Sequence, residues 1–442
     1  MGWRTTRTVA GAWAIVILSA AGSTAAEPAS SAEPAAAATP AGAAQTTAPA
    51  AAAPAGLARF LDPATAPFIP IPEIDTAPGS GLTLGVIPTV LSVNDRDEIE
   101  RIVAPDVIHS QYFGWGSRMR IFDYPSPDAQ WSVVGGLKER VEREFDGRYA
   151  AGQARLGDWS FAVDAVYDRS GIPRFFGLGN ATPYANQSSY LDNQAFLDLS
   201  AGRNLTRALQ LGYDARLRYV DVLPGVLPNV PSTTTVFPAL AGLGSEHVLQ
   251  QTVTLSYDTR DSAVIPRSGG RYAAYGGFVS GALGSSVSYS YFGAEARRYW
   301  ALGSDVTLAC HAAARYMPSA ADAPFWALSS LGGDRSVTDE REPLRSAVSD
   351  RYIDRNLFAG GAELRTRVAG FDAFGTRVGL ELGPFVDTGK VFSTLGTSPL
   401  THVHAAGGLA VRGVASPFVV GYVDVGFGQD GAAVFSGINY PF

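Results

Sequence analysis

From residue 81 to residue 442, hydrophobic and polar positions alternate at every second residue, in one segment after another. Leu209, Leu211, Tyr213, Ala215, Leu217 and Tyr219 alternate with Gln210, Gly212, Asp214, Arg216 and Arg218. Trp159, Phe161, Val163, Ala165 and Tyr167 oppose Ser160, Asp164 and Asp168. Val378, Leu380, Leu382 and Val386 oppose Arg377, Glu381 and Asp387. A period of two is the repeat of a β-strand with two unlike faces. Even the charged stretch 134–150, VGGLKERVEREFDGRYA, sorts this way. As a strand it puts Lys138, Arg140, Glu142, Glu144, Asp146 and Arg148 on one face, opposite Leu137, Val141, Phe145 and Tyr149, a face broken only by Glu139, Arg143 and two glycines.

A soluble two-sided sheet would also alternate, so the pattern needs a second criterion. The last stretch runs Val434-Phe435-Ser436-Gly437-Ile438-Asn439-Tyr440-Pro441-Phe442 and sets Val434, Ile438, Tyr440 and Phe442 on one side. An exported chain of alternating segments that finishes on an aromatic has the signature of an outer-membrane β-barrel. Ile438, Tyr440 and Phe442 would then be the carboxy-terminal barrel signal. In lipid every backbone donor and acceptor needs a partner, so the sheet must close. The expected fold is all-β: a transmembrane antiparallel barrel over 81–442 with acyl chains against its oily face and charges in a wet lumen.

The segments number about sixteen when 129–151 is taken as one strand, an even count as single-chain bacterial barrels require. Connections then alternate. Short ones fall near 203–206, 302–304 and 370–374, and long ones at 170–187, 222–245 and 318–354, all on the cell surface if both chain ends are periplasmic.

The amino-terminal region supports export. Arg4 and Arg7 precede the apolar run from Val9 to Leu18, and Ser23-Thr24-Ala25-Ala26 follow. That order fits a cleavable signal over 1–26, with a transmembrane anchor as the alternative. Residues 27–80 are rich in Ala and Pro, up to Pro67-Phe68-Ile69-Pro70-Ile71-Pro72, and read as a disordered periplasmic linker. No later apolar run reaches the roughly 18 residues of a membrane helix.

Composition narrows the classes further. Charged residues are 17% of the 442, the net charge is −7, and mean hydropathy is +0.06 despite 46% hydrophobic residues. With no basic tract, nucleic acid is not an expected partner. Cys310 is the single cysteine, so neither an internal disulfide nor a Cys-rich metal site can form.

Five stretches, in order, resemble the bacterial surface antigen family, the barrel of the BamA/TamA-like outer-membrane assembly superfamily. They are Arg174-Phe175-Phe176-Gly177-Leu178-Gly179-Asn180; Tyr257-Asp258-Thr259-Arg260-Asp261 with Pro266 and Gly269-Gly270; and Leu331-Gly332-Gly333-Asp334-Arg335 followed by Arg351-Tyr352-Ile353-Asp354-Arg355-Asn356. Gly383-Pro384-Phe385-Val386-Asp387-Thr388-Gly389 and Tyr440-Pro441-Phe442 complete the set. The resemblance implies a sixth surface loop whose arginine reaches back into the lumen to meet acids of the wall. Counting back from Arg351 and Asp354 at the family's spacing lands on Leu344-Arg345-Ser346-Ala347, which keeps the arginine but not the family's glycine and aromatic. A rival count forward from Gly332-Gly333 lands on Val337-Thr338-Asp339, which has none. Arg345 is favoured, with Asp387 and Glu363 as its expected acids; the plainer reading is a solvated rim arginine. The family's larger members carry POTRA domains that receive clients, and none is expected here.

Other chemistry is thin. His402 and His404 share a strand face but lack a third ligand and read as rim residues. His311 faces inward beside outward Cys310, and no G-x-S-x-G or triad spacing occurs, so neither enzyme activity nor a metal or other cofactor is expected. Arg216, Arg218, Arg365, Arg367 and Glu381 would line an ion pathway or a self-neutralising network. The resemblance implies a role in outer-membrane protein assembly or translocation; a passive pore or structural surface protein is the alternative. The expected partners are outer-membrane lipid, the barrel assembly machinery during its own insertion, and an unfolded protein client.

Overall fold

The computed structural model describes residues 69–75, 79–93, 99–126, 128–336, 340–373, 376–396, 401–415, 419–438 and 440–442. The expected export signal and the linker up to residue 68 lie outside these residues, as does the rival loop position at 337–339. The first seven strands are β1 Ile69–Asp75, β2 Thr83–Val93, β3 Ile99–Ser110, β4 Gly114–Ser126, β5 Ala129–Lys138, β6 Arg143–Ala151 and β7 Trp159–Ser170. After the two-residue β8 Arg174–Phe175 come β9 Ser188–Asn204, β10 Leu209–Pro224, β11 Gly244–Asp258, β12 Gly269–Val279, β13 Tyr289–Ala301 and β14 Val306–Ser319. Three short strands follow, β15 Ser329–Leu331, β16 Arg341–Glu342 and β17 Tyr352–Asp354. The last five are β18 Asn356–Ala373, β19 Thr376–Phe392, β20 His404–Ala415, β21 Val419–Gly428 and β22 Gly431–Ile438.

All except β8, β15, β16 and β17 pair antiparallel with their neighbours along the chain, and β1 comes back beside β22. The result is the transmembrane β-barrel that the alternation implies. Its outer face carries exposed Trp159, Phe161, Leu211, Tyr213, Leu217, Leu255, Phe292 and Leu409. Its inner face buries Gln210, Asp214, Arg216, Arg365 and Arg412. An apolar surface that large suits acyl chains and not water.

Eighteen wall strands replace the expected sixteen for two reasons. The stretch 129–151 is a hairpin, with Leu137 opposite Arg143 and a turn over 139–142. Four turn residues preserve parity, so Leu137, Phe145 and Tyr149 all face outward and the hairpin imitates one long strand. The other addition is β1, ahead of the expected start at Gly81. Its prolines are tolerated because Pro70 stands opposite Pro88 of β2, a position where no hydrogen bonds are exchanged. Pro70 and Pro72 share a parity, so their missing N–H groups fall on the side away from β2.

Connections at 152–158, 205–208, 259–268 and 302–305 share one end of the barrel; those at 171–187, 225–243, 280–288 and 320–355 share the other. With β1 counted, the loop that the resemblance numbers sixth becomes the seventh connection at its end. At this long-loop end the loops make a second core inside the barrel mouth, with Phe175, Tyr190, Val220, Tyr289, Phe325 and Ile353 packed together.

The final residues depart from expectation. Ile438 ends β22 opposite Gly421, but Tyr440 and Phe442 lie beyond the strand, and Phe442 is buried in the lumen against Tyr299 and Ala309. Pro441 cannot donate to a ladder, and cationic side chains inside the barrel offer the rings better partners than a strand end does. The lipid-facing assignment of Tyr440 and Phe442 is therefore corrected. Ile438's side chain lies outside the described set.

Candidate functional site: an arginine locked in the lumen

The loop over 320–355 folds down into the barrel instead of standing above it. Its short strands form a small sheet, β15 pairing antiparallel with β17 and parallel with β16. Leu331, Leu344, Ala347 and Tyr352 pack on Leu357, Ala359, Val391 and Ala406 of the wall. The turn that carries Arg345 is tied by one glycine. Gly333 N–H donates to Ala347 O at 3.1 Å and Leu344 N–H donates to Gly333 O at 3.0 Å. Gly333 has φ +85°, a conformation that suits glycine.

This turn delivers Arg345 to the wall, fully buried. Its Nε and Nη2 donate to the two oxygens of Asp387 at 2.8 and 2.9 Å, the parallel fork that guanidinium geometry favours. Its own backbone N–H adds a third bond to Asp387 at 3.1 Å. Nη1 donates to Glu363 at 2.7 Å and to Asp424 at 3.0 Å. The guanidinium also lies 3.5 Å from the ring centre of Phe385.

Glu363 is the hub. Besides Arg345 it accepts from Arg365 Nε at 2.8 Å and from both terminal nitrogens of Arg412 at 2.7 and 2.8 Å. Arg412 lies 3.6 Å from Asp424 and 3.7 Å from Glu381. Burying such charges is costly unless they are matched and hydrogen-bonded. Here Arg345, Arg365 and Arg412 balance Glu363, Asp387 and Asp424, all with side chains at most 2% exposed.

The structure thus brings together Arg345, Glu363 and Asp387. It places Arg351 and Asp354 elsewhere. Arg351 is an outer clamp: Nε donates to Asp430 at 2.6 Å, while Nη1 and Nη2 donate to Thr182 Oγ1 and O at 3.0 and 2.9 Å. It also lies over Phe176, 4.6 Å from the ring centre. Asp354 accepts the N–H of Arg355 at 2.7 Å and meets no lumen cation among the described contacts. Arg351→Ala is expected to cost about 2–3 kcal/mol, the range for losing hydrogen bonds between charged groups. Hydrogen exchange should rise in 171–187 and at Asp430, with the Arg345 turn still protected.

Asn180, in the Phe176-Gly177-Leu178-Gly179-Asn180 stretch, bridges across the mouth. Its Oδ1 accepts Val391 N–H at 3.1 Å and its Nδ2 donates to His402 O at 2.8 Å. Gly179 N–H donates to Ile353 O at 2.7 Å, which pins this loop onto the inserted one. His404 places Nε2 2.8 Å from Asn180 O and Nδ1 2.9 Å from Gln429, and its ring stacks on Tyr352 at 3.8 Å. Both ring nitrogens of His404 are engaged at the mouth, whereas His402 contributes its backbone carbonyl.

Sequence reasoning missed Arg412, Asp424 and Phe385 as members of the lumen site. Arg412 and Asp424 have inward parity, and Asp424 sits between Val423 and Val425 as an isolated charge. Alternation gives the face of a residue but not its neighbour three strands away.

Across the lumen the wall is acidic. Asp164 of β7 stands directly opposite Asp198 of β9, and Glu144 of β6 opposite Asp168 of β7. Like charges in register repel. Arg148 relieves the first pair by bonding Asp164, and Arg216 by donating to Asp198 at 2.6 Å. Beside them lies a cavity of about 120 Å³, bounded by the inserted loop through Trp326, Glu340 and Arg341.

Comparison with solved structures gives BamA from Haemophilus ducreyi lacking POTRA domains 1–3, at 12% identity and a TM-score of 0.47, covering 80% of this chain and 74% of that one. CdiB from Escherichia coli matches at 11% identity and a TM-score of 0.45, over 84% of this chain and 62% of that chain. CdiB from Acinetobacter baumannii matches at 11% and 0.46, over 81% and 65%. The chain therefore spans less than two thirds of the length of either CdiB. No curated protein sequence matches it. The profile of the Omp85 superfamily domain matches residues 140–419, well over half of the chain, and the protein belongs to that superfamily as a bacterial outer-membrane β-barrel.

Proposed function

We propose that this barrel aids the assembly or translocation of other polypeptides at the outer membrane, acting through the strand edges at the seam between β1 and β22. One observation carries the reading. Each neighbouring pair of wall strands from β1 round to β22 has a ladder register, whereas β1 and β22 approach without one among the described residues. Unpaired N–H and C=O groups at bilayer depth cost several kcal/mol each, so such an edge favours the addition of an incoming strand. Membership of the Omp85 superfamily supports the same role. Residues 1–26 then serve as an export signal and 27–68 as a periplasmic tether.

Deleting the gene should lower the outer-membrane abundance of a defined subset of β-barrel or surface proteins, read by quantitative proteomics and restored by the intact chain. An unaltered outer-membrane proteome would remove the assembly reading. A second reading, a cation-conducting pore, draws support from the acidic wall beside the cavity. It requires steady, cation-selective conductance in planar bilayers. Conductance that persists in Arg345→Ala while the proteome of the deletion strain stays unchanged would favour it.

A further inference from the structure

Beyond β22 the chain turns inward, and what receives it is a built pocket. Tyr440 Oη donates to Glu381 Oε2 at 3.2 Å, and the Arg365 and Arg412 guanidiniums lie 3.7 and 5.1 Å from the Tyr440 ring centre. Phe442 stacks on His311 with ring centres 4.1 Å apart and packs against Tyr299. Arg365 Nη2 donates to the Phe442 backbone oxygen at 3.3 Å.

The receiving groups come from five wall strands: Tyr299 from β13, His311 from β14, Arg365 from β18, Glu381 from β19 and Arg412 from β20. Glu363 holds Arg365 and Arg412 without help from the segment, by hydrogen bonds of 2.7–2.8 Å, and the strand ladders place the backbones of the other three. A small space of about 10 Å³ lies beside Tyr440, bounded by Arg267, Asp305 and Arg367 at the short-turn end. Two flat rings over guanidiniums, a phenol on a carboxylate and a carbonyl on an arginine make a recognition set for a peptide, and it requires aromatic residues two apart.

We infer that this pocket is a binding site for a peptide segment of the pattern aromatic-Pro-aromatic, occupied here in cis by Tyr440, Pro441 and Phe442, which stopper the short-turn mouth of the lumen. The inference is independent of the seam and of the assembly reading. A tethered occupant acts at an effective concentration on the order of millimolar, so it excludes the same peptide offered free.

The test uses the purified barrel in detergent and a fluorescein-labelled peptide with the sequence of residues 437–442, GINYPF. A variant lacking Tyr440, Pro441 and Phe442 should bind it saturably, at least about tenfold more tightly than the intact chain, by fluorescence anisotropy. A peptide with alanine in place of both aromatics should not bind. Should the shortened variant fail to insert, the full-length double variant Tyr440→Ala with Phe442→Ala serves instead, with the same expectation. In the intact chain, His311→Cys with Phe442→Cys, in a Cys310→Ala background, should be crosslinked by a short bifunctional maleimide, since the two rings stack in the native chain. Equal binding by intact and emptied barrels, no binding by the emptied barrel, or no crosslink would each overturn the assignment.

Discussion

Arg345→Ala is expected to destabilise the barrel by about 3–5 kcal/mol and to free the loop over 320–355, the cost typical of removing one partner from a buried ion pair. The size follows from what is left behind. Four side-chain hydrogen bonds vanish, two to Asp387 and one each to Glu363 and Asp424. Glu363 retains Arg365 and Arg412. Asp387 does not fare as well. It has no exposed surface, and its three hydrogen bonds among the described residues all come from Arg345, so only the backbone N–H would remain. A carboxylate so stranded must take up a proton or draw in water, and either route pulls the turn off the wall. Arg345→Lys should fall between, because an ammonium keeps the charge but cannot make the fork on Asp387. Adding Asp387→Asn to Arg345→Ala should recover part of the loss, since the stranded charge goes with it. The readouts are the temperature at which the folded barrel shifts its electrophoretic mobility and the protease sensitivity of 320–355. Insertion itself should persist, because the strand ladders do not pass through Arg345. Wild-type protease resistance in Arg345→Ala would show that the loop is held by its apolar contacts alone.

Much of this architecture follows from parity. A period of two identifies which side chains face lipid, and it assigns Glu363, Arg365, Glu381 and Asp387 to the lumen. Parity is also the reason for the main errors. It survives a four-residue turn, so alternation alone does not reveal the turn over 139–142, and the prolines of β1 speak against a strand although an end strand needs a full ladder on one side alone. The partners of Arg345 show a different boundary. Asp387 and Glu363 could be reached through the resemblance, whereas Asp424 and Arg412 meet them only because β18 to β21 lie side by side in the closed wall. The aromatic missing after Arg345 is likewise met from outside the loop: Phe385 of β19 lies under the guanidinium. At 440–442 alternation gave the wrong face, because hydrogen-bonded pairing, the cause of alternation, ends with β22.

Gly426→Ala should reproduce the loop release of Arg345→Ala while leaving every charge in place. The inserted turn lies flat on β21, and a Cβ built on Gly426 would stand 1.6 Å from the carbonyl oxygen of Arg345 and 2.7 Å from its carbonyl carbon. Both are backbone atoms, so no side chain can rotate away. To restore a normal contact the turn over 344–347 must retreat by more than an ångström, which stretches the fork on Asp387 beyond hydrogen-bonding length. Overpacking of this kind costs about 1–3 kcal/mol, and here the weakened ion pairs add to it. Gly413→Ala supplies the control. A Cβ there meets nothing nearer than Val378 Cγ1 at 3.9 Å, so that change should be neutral or slightly stabilising, as a glycine lost from an unfolded chain is. The pair separates two accounts of how the loop is held. If acids on the wall merely attract a loosely placed arginine, a single methyl on β21 can be avoided by a small shift, and Gly426→Ala will resist protease as Gly413→Ala does. If the backbone of the turn is itself seated on the strand, the methyl unseats it, and the 320–355 loop will be cut in Gly426→Ala and spared in Gly413→Ala.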